Sequence, residues 1–304
     1  MPDDLFPGFA SHWLDTQAGR IFARVGGSGP PVVLLHGFPQ THVAFHRIAP
    51  ALAQTNTVVC MDLRGYGWSS APRADAGHGT YSKRAMGADV ITVMEQLGHV
   101  RFAVVGHDRG ARVGYRLALD HPGRVARLAL LDILPTAEVW RRIEAGAMPR
   151  AHWGFLAQPE PQPEDEIGKD PLGYFHGLLT KWSGRGLDVF APRALAAYDQ
   201  SCNEPNRIHA FCEDYRAGAT VDRAQDEADL AGLKRIACPV LLVWAEFYLT
   251  AGGKTADNET PLDVWRRTFA PHATGTHLAT GHFVAEEDPE GTLAALTPFL
   301  GETS

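Results

Sequence analysis

The five residues from Gly106 to Gly110 constrain the fold of this chain more than any other stretch of its sequence. They read Gly-His-Asp-Arg-Gly and stand between an apolar run at 101–105 and a helix-like segment at 111–119. A glycine-flanked turn of this kind follows a buried strand, opens a helix and lifts its central side chain above a sheet. The pattern therefore predicts a strand–turn–helix unit that presents Asp108.

Asp108 stands where such a turn usually has serine, so the expected attacking group is a carboxylate rather than a hydroxyl. A carboxylate is already ionised near neutral pH and needs no base before it attacks. It suits displacement at a saturated carbon, which would leave an alkyl ester on the enzyme.

Composition and charge exclude several classes of protein. The net charge of −7 over 304 residues argues against a general nucleic-acid binder. No apolar run approaches the length of a membrane span. The acidic start, 1–4, lacks the pattern of a signal peptide, and the cysteines form no C-x-x-C pair. We expect a cytoplasmic protein with four reduced thiols, at Cys60, Cys202, Cys212 and Cys238.

The rest of the chain alternates strand-like and helix-like segments. This alternation predicts an α/β fold: a mostly parallel sheet with helices on both faces. Strands are expected in a hairpin at 12–25 and at 31–35, 56–62, 125–131, 240–245 and 276–280, and helices at 81–97, 261–269 and 287–300.

The alternation breaks between residues 136 and 228, where helix-like stretches, proline-rich turns and aromatic residues replace strand runs. We expect a core domain formed by 1–135 and 229–304, and a helical cap domain formed by 136–228. A cap inserted at this point would cover the carboxyl ends of the strands, where ligands bind in open α/β sheets.

Two further residues at strand ends complete a candidate triad. Asp132 ends the strand after the Asp108 helix, and His282 follows the last strand. The order Asp108, Asp132, His282 matches nucleophile, acid and base as they occur along α/β-hydrolase chains. Glu246, which also follows a strand, is the alternative to Asp132 as the acid.

An oxyanion hole is expected beside the turn. The segment His36-Gly37-Phe38-Pro39 follows an early strand, so the backbone N–H groups of Phe38 and Arg109 are the candidate donors.

Arg109 and Arg112 lie three residues apart, which places both guanidinium groups on one face of the helix. Arginine forks bind carboxylates with two hydrogen bonds. Arginine side chains usually lie on a solvated helix face. The start of this helix should instead be buried, and burial of an arginine pair without an anion costs free energy. The pair favours a substrate that carries a carboxylate.

At this point the sequence resembles the fluoroacetate dehalogenases, in the haloacetate dehalogenase branch of the α/β-hydrolase superfamily. The resemblance covers nearly the whole chain and rests on six segments: 36–41, 106–112, 131–136, 152–153, 212–218 and 281–283. It implies hydrolysis of fluoroacetate to glycolate and fluoride by a homodimer, with neither cofactor nor metal.

The resemblance also implies residue roles. Asp108 would attack the halogen-bearing carbon, Asp132 and His282 would complete the triad, and Arg109 and Arg112 would bind the substrate carboxylate. Halide-binding roles fall to His152, Trp153 and Tyr215, whose N–H and O–H groups are neutral donors suited to a departing fluoride. The alternative is that Trp153 and Tyr215 belong to the hydrophobic core of the cap, where aromatic residues are found more often than in binding sites. Trp182 and Phe45 are candidate residues of the pocket wall. Two features depart from the family pattern: Phe45 stands where tryptophan is expected, and residues 246–260 differ from the family.

Three other functions compete. An epoxide hydrolase would need two cap tyrosines, for which Tyr215 with Tyr174 or Tyr198 are candidates. A haloalkane dehalogenase usually has tryptophan directly after the nucleophile, where this chain has Arg109. A catalytically silent ligand receptor on the same fold could dispense with a triad, so the three triad residues argue against it.

Overall fold

A computed structural model describes residues 4–148, 151–246 and 258–301. Its strands form one eight-stranded sheet. The strands are β1 (Ala10–Thr16), β2 (Gly19–Gly26), β3 (Pro31–Leu35), β4 (Thr57–Met61), β5 (Phe102–His107), β6 (Val125–Leu131), β7 (Val240–Ala245) and β8 (Thr274–Leu278).

The sheet has the strand order β1-β2-β4-β3-β5-β6-β7-β8. The β1–β2 and β2–β4 pairs are antiparallel, and every other neighbouring pair is parallel. The central strands are apolar because helices cover them on both sides; β7, for example, is buried along its whole length. The α/β fold class predicted from the sequence is confirmed.

The helices of the described residues alternate with the parallel strands in the core and follow one another directly in the inserted segment. They are α1 (Ala49–Leu52), α2 (Lys83–Gln96), α3 (Arg109–Asp120), α4 (Thr136–Glu144), α5 (Ala151–Leu156), α6 (Gln162–Ile167), α7 (Pro171–Trp182), α8 (Pro192–Cys202), α9 (Pro205–Ala219), α10 (Val221–Ala231), α11 (Pro261–Arg267), α12 (Val284–Glu287) and α13 (Pro289–Gly301). None of them is long and apolar enough to cross a membrane.

Between β6 and β7 the chain passes through α4 to α10, from Thr136 to Ala231. Helix α9 lies deepest, with every residue from Ile208 to Gly218 buried. The hydroxyl of Tyr66, in the core, donates a 2.7 Å hydrogen bond to Asp214 on α9. The division into a core and a cap with a boundary at residue 228 stays a prediction.

The end of the chain differs from the prediction in one strand. Strand β8 begins at Thr274 and ends at Leu278, two residues before the predicted 276–280. Its first four residues are exposed, so no hydrophobic run marks it, and its bounds follow from pairing with β7, from Leu241–Thr274 to Ala245–Leu278. The last predicted helix is two helices, α12 and α13.

Candidate active site

The turn between β5 and α3 holds Asp108 in a backbone conformation that few side chains adopt, with φ 45° and ψ −113°. Neighbouring backbone atoms come so close to the two flanking glycines that neither position has room for a side chain. A Cβ atom on Gly110 would lie 2.1 Å from the carbonyl oxygen of Leu35, and one on Gly106 would lie 2.5 Å from Cα of Ala111. The strained turn is therefore fixed by packing on both sides, and it points the Asp108 carboxyl group away from the sheet.

His282 and Asp132 form a close pair beside this turn. Nδ1 of His282 lies 2.6 Å from Oδ2 of Asp132, whose Oδ1 accepts a 2.9 Å hydrogen bond from the backbone N–H of Ala245. The other ring nitrogen of His282, Nε2, lies 3.9 Å from Oδ2 of Asp108. Because Nδ1–H donates to a carboxylate, Nε2 is the nitrogen able to accept a proton on the Asp108 side.

The Asp108 carboxyl group is held in its ionised form. Burial by itself would raise the pKa of Asp108. The positive charge that His282 carries in its protonated form and the guanidinium groups of Arg109 and Arg112 outweigh burial and hold that pKa well below the usual carboxyl range. One oxygen, Oδ1, also accepts a 3.0 Å hydrogen bond from the backbone N–H of Phe38. An ionised carboxylate is available as a nucleophile without prior proton removal.

The two arginines of α3 differ in their partners. Arg109 is fully buried, and its Nε donates a 3.0 Å hydrogen bond to Asp214, with which its Nη2 also pairs. Asp214 is thus its counter-ion, so the charge of Arg109 does not by itself require a substrate anion. Nη1 of Arg112 donates to the Leu134 carbonyl and the Thr136 hydroxyl, each at 3.0 Å, and both acceptors are neutral.

Each arginine keeps one buried donor without a hydrogen-bond partner among the described residues: Nη1 of Arg109 and Nε of Arg112. Both guanidinium groups face the same indole ring. Their Cζ atoms lie 5.3 Å and 4.6 Å from the centroid of Trp153. The arrangement can bind an anion, because orphaned buried donors are costly until an acceptor reaches them.

The three residues expected to bind halide lie together in the structure. The ring centroid of Tyr215 is 5.5 Å from that of Trp153 and 5.6 Å from that of His152. The ring centroid of His152 lies 4.5 Å from that of Trp182. Burial lowers the pKa of His152 to about 3. His152 is therefore neutral near pH 7 and carries one N–H donor.

Trp182 and Phe45 occupy different surroundings. The ring of Trp182 lies 5.9 Å from that of His282 and 5.9 Å from that of Phe38, so it contacts both sides of the site. Phe45 lines a small cavity of about 10 Å³ next to His107. Its role as a pocket wall stays a prediction.

The remaining sequence candidates lie elsewhere. Tyr198 accepts a 3.4 Å hydrogen bond from Gln40, and the ring of Tyr174 packs against Phe175 at 5.2 Å. Most of the 246–260 segment falls in 247–257, outside the described residues, and the backbone N–H of Glu246 bonds to the carbonyl oxygen of Leu278.

Two site residues had no functional signal of their own in the sequence. Asp214 stands beside Tyr215 in a motif of the resemblance, yet only the three-dimensional structure shows that it pairs with Arg109. His107, which precedes Asp108 in the turn, donates from Nε2 to the carbonyl oxygen of His282 at 2.8 Å. Burial lowers the pKa of His107 to about 3, so this ring is a neutral support for the loop that carries His282.

The chain matches known proteins over most of its length. A family model described as the α/β-hydrolase fold matches residues 30–289. The chain is 42% identical over 303 residues to a fluoroacetate dehalogenase from Burkholderia sp, which covers 98% of this chain and 96% of that protein.

Similarity extends to other activities. A soluble epoxide hydrolase from Corynebacterium sp. (strain C12) is 30% identical over 290 residues, with 92% of this chain and 93% of that protein covered. A crystal structure from Nostoc sp PCC 7120, described as that of a candidate α/β hydrolase, has a TM-score of 0.89 at 47% identity, covering 97% of this chain and 99% of that chain.

Proposed function

This chain belongs to the α/β-hydrolase family, and we propose that it hydrolyses the carbon–halogen bond of haloacetates, converting fluoroacetate to glycolate and fluoride. One observation carries the proposal. An ionised, buried Asp108 stands next to two arginine donors that meet no acceptor among the described residues. A substrate carboxylate placed on those donors would hold the neighbouring carbon close to the nucleophile.

In the first step, Oδ2 of Asp108 attacks the halogen-bearing carbon. The carbon–halogen bond breaks, and the halide leaves with the bonding electron pair. His152, Trp153 and Tyr215 then donate hydrogen bonds to the halide as its charge develops. Neutral donors suit this task, because a donor in place before the reaction needs no reorganisation as the charge appears.

In the second step, Nε2 of His282 removes a proton from water, and the resulting hydroxide attacks Cγ of the ester. The charge that forms on the carbonyl oxygen is stabilised by the N–H groups of Phe38 and Arg109. As this intermediate collapses, the bond between Cγ and the ester oxygen breaks, the departing alkoxide takes the proton from Nε2 of His282 and leaves as the hydroxy acid, and the Asp108 carboxyl group loses its proton to solvent. Asp132 stabilises the imidazolium ion formed in between.

Epoxide hydrolysis is the alternative, favoured by the Corynebacterium relative. Its first step would also use Asp108, but an epoxide oxygen needs acid groups to protonate it. Tyr215 lies at the site, whereas the hydroxyl of Tyr198 is hydrogen-bonded to both Glu286 and Gln40. The buried arginine donors also match a carboxylate better than a neutral epoxide.

The discriminating experiment measures halide release from fluoroacetate, chloroacetate and bromoacetate beside ring opening of styrene oxide. We expect halide release that depends on Asp108 and no epoxide turnover. Epoxide opening without halide release would replace this proposal with its alternative. The proposal includes a homodimer in the cytoplasm, which sedimentation of the purified protein and cell fractionation test.

A further inference from the structure

The side chain of Asp214, on the inserted helix α9, is fully buried and pairs with two cationic side chains of the core. Its Oδ1 accepts from Nε of Arg109 at 3.0 Å and pairs with Nζ of Lys83. Its Oδ2 accepts a 2.7 Å hydrogen bond from Tyr66, and its backbone carbonyl accepts a 2.7 Å bond from Nη2 of Arg109. Asp214 therefore holds one edge of the Arg109 guanidinium by both side chain and backbone.

The charges of this cluster balance. Lys83 and Arg109 are cationic, whereas Asp214 and Asp222 are anionic, and Oδ2 of Asp222 lies 3.5 Å from Nζ of Lys83. The neighbouring charges hold the pKa of Asp214 below its usual range despite burial, which by itself would raise it. Asp214 is thus a fixed anion, and Arg109 has only Nη1 left for another acceptor.

The same contact fixes Arg109 against the halide side of the site. Asp214 and Tyr215 are neighbours on α9, and Cζ of Arg109 lies 4.2 Å from the ring centroid of Tyr215. A group bound by Nη1 of Arg109 is therefore held very near the phenol. The side chain proposed to bind the carboxylate is therefore stacked on a side chain proposed to bind the halide.

We propose that Asp214 is a positioning residue that sets the distance between the carboxylate-binding and halide-binding groups and so restricts the substrate to acids with halogen on the carbon next to the carboxylate. This inference rests on the proposed function. A 3-haloacid, with one further methylene, would place its halogen beyond the donors when its carboxylate is bound. Release of Arg109 from Asp214 would loosen both the affinity and this restriction.

The test uses Asp214→Asn in the full-length protein, with Asp89→Asn as the matched control. Asp89, on α2, is also buried. Its two carboxylate oxygens each accept a 2.8 Å hydrogen bond from the guanidinium group of Arg64. Three quantities are measured for each protein: acetate affinity by calorimetry, KM and kcat for chloroacetate, and the rate with 3-chloropropionate relative to chloroacetate.

We expect Asp214→Asn to weaken acetate binding and raise KM at least tenfold, with a smaller change in kcat. The relative rate with 3-chloropropionate should rise, and Asp89→Asn should leave all three quantities as in the wild type. Values within twofold of the wild type for Asp214→Asn, or equal losses in both variants, would overturn the inference.

Two further arms keep the test decisive. If Asp214→Asn does not fold, the charge-balanced double variant Lys83→Met/Asp214→Asn takes its place with the same expectations. Acetate binding needs no turnover, so it tests Asp214 even if the wild-type protein releases no halide. That last result would count against the proposed function alone.

Discussion

The backbone N–H of Phe38 donates a 3.0 Å hydrogen bond to Oδ1 of Asp108. This contact makes the two carboxylate oxygens unequal, because Oδ2 is the oxygen that faces Nε2 of His282, at 3.9 Å. In the proposed reaction Oδ2 becomes the ester oxygen and Oδ1 the carbonyl oxygen. The charge of the second step then develops at an oxygen that already has its donor.

Replacing His282 with alanine should separate the two steps. Asp108 needs no base for its attack, whereas water does, so the variant should release about one halide per active site and then stall. The glycolyl ester should appear as added mass on the peptide that contains Asp108. Absence of both the burst and the ester would mean that His282 acts before the carbon–halogen bond breaks.

Arg112→Lys should raise KM for chloroacetate and lower kcat/KM. Lysine keeps the charge but loses the planar fork, so we expect a loss of roughly 2–5 kcal/mol in transition-state binding. Arg64→Lys, which alters a buried arginine paired with Asp89, is the control and should change stability but not KM. Near-normal kinetics for Arg112→Lys would move carboxylate recognition to other residues.

Tyr215→Phe removes one hydroxyl from the halide-binding group and keeps the ring packing. Loss of one such donor costs on the order of 10²–10³ in rate, and fluoride should suffer more than bromide because it gains more from hydrogen bonding. Rates of halide release from fluoroacetate and bromoacetate measure the difference. Tyr198→Phe, at a buried tyrosine that bonds with Gln40, is the control. Equal losses for both substrates would indicate a packing role for Tyr215.

The buried carboxyl group of Glu286 should make the free energy of unfolding depend on pH. Burial raises the pKa of its carboxyl group from 4.5 to about 8 in the folded protein. Between these values the folded state keeps a proton that the unfolded chain has lost, so the contribution of Glu286 to the free energy of unfolding falls as pH rises and levels off above about pH 8. Each unit of pKa difference corresponds to about 1.4 kcal/mol.

Glu286→Gln removes this titration and keeps the shape of the side chain. Chemical denaturation at pH 5, 7 and 9 should show the variant gaining stability relative to the wild type as pH rises. Parallel pH profiles for the two proteins would show that Glu286 titrates alike in the folded and unfolded states.

The sequence was most informative where hydrophobic burial defines an element. The predicted strands at 31–35, 125–131 and 240–245 match β3, β6 and β7 residue for residue, because these central strands are continuous apolar runs. It was less informative for β8, an edge strand with exposed side chains, whose position depends on pairing with β7.

The site shows the same division. Asp108 and Asp132 each come directly after a buried strand, which local sequence reveals, whereas His282 lies four residues after Leu278 and was found as part of the 281–283 motif. The pairing of Arg109 with Asp214 joins residues 105 positions apart, and no local pattern specifies it. Long-range charge pairs of this kind depend on how the inserted helices pack on the core, so they become visible only in the folded structure.

The central claim is that the Asp108 carboxylate forms the ester, and a single turnover in water enriched in oxygen-18 tests it most directly. With enzyme in excess over chloroacetate, hydrolysis at Cγ of the ester should place the heavy oxygen in the carboxyl group of Asp108. The peptide that contains Asp108 should gain mass, and the first glycolate released should be unlabelled. Label in the glycolate and none in that peptide would show that water attacks the substrate carbon directly, which would contradict the account.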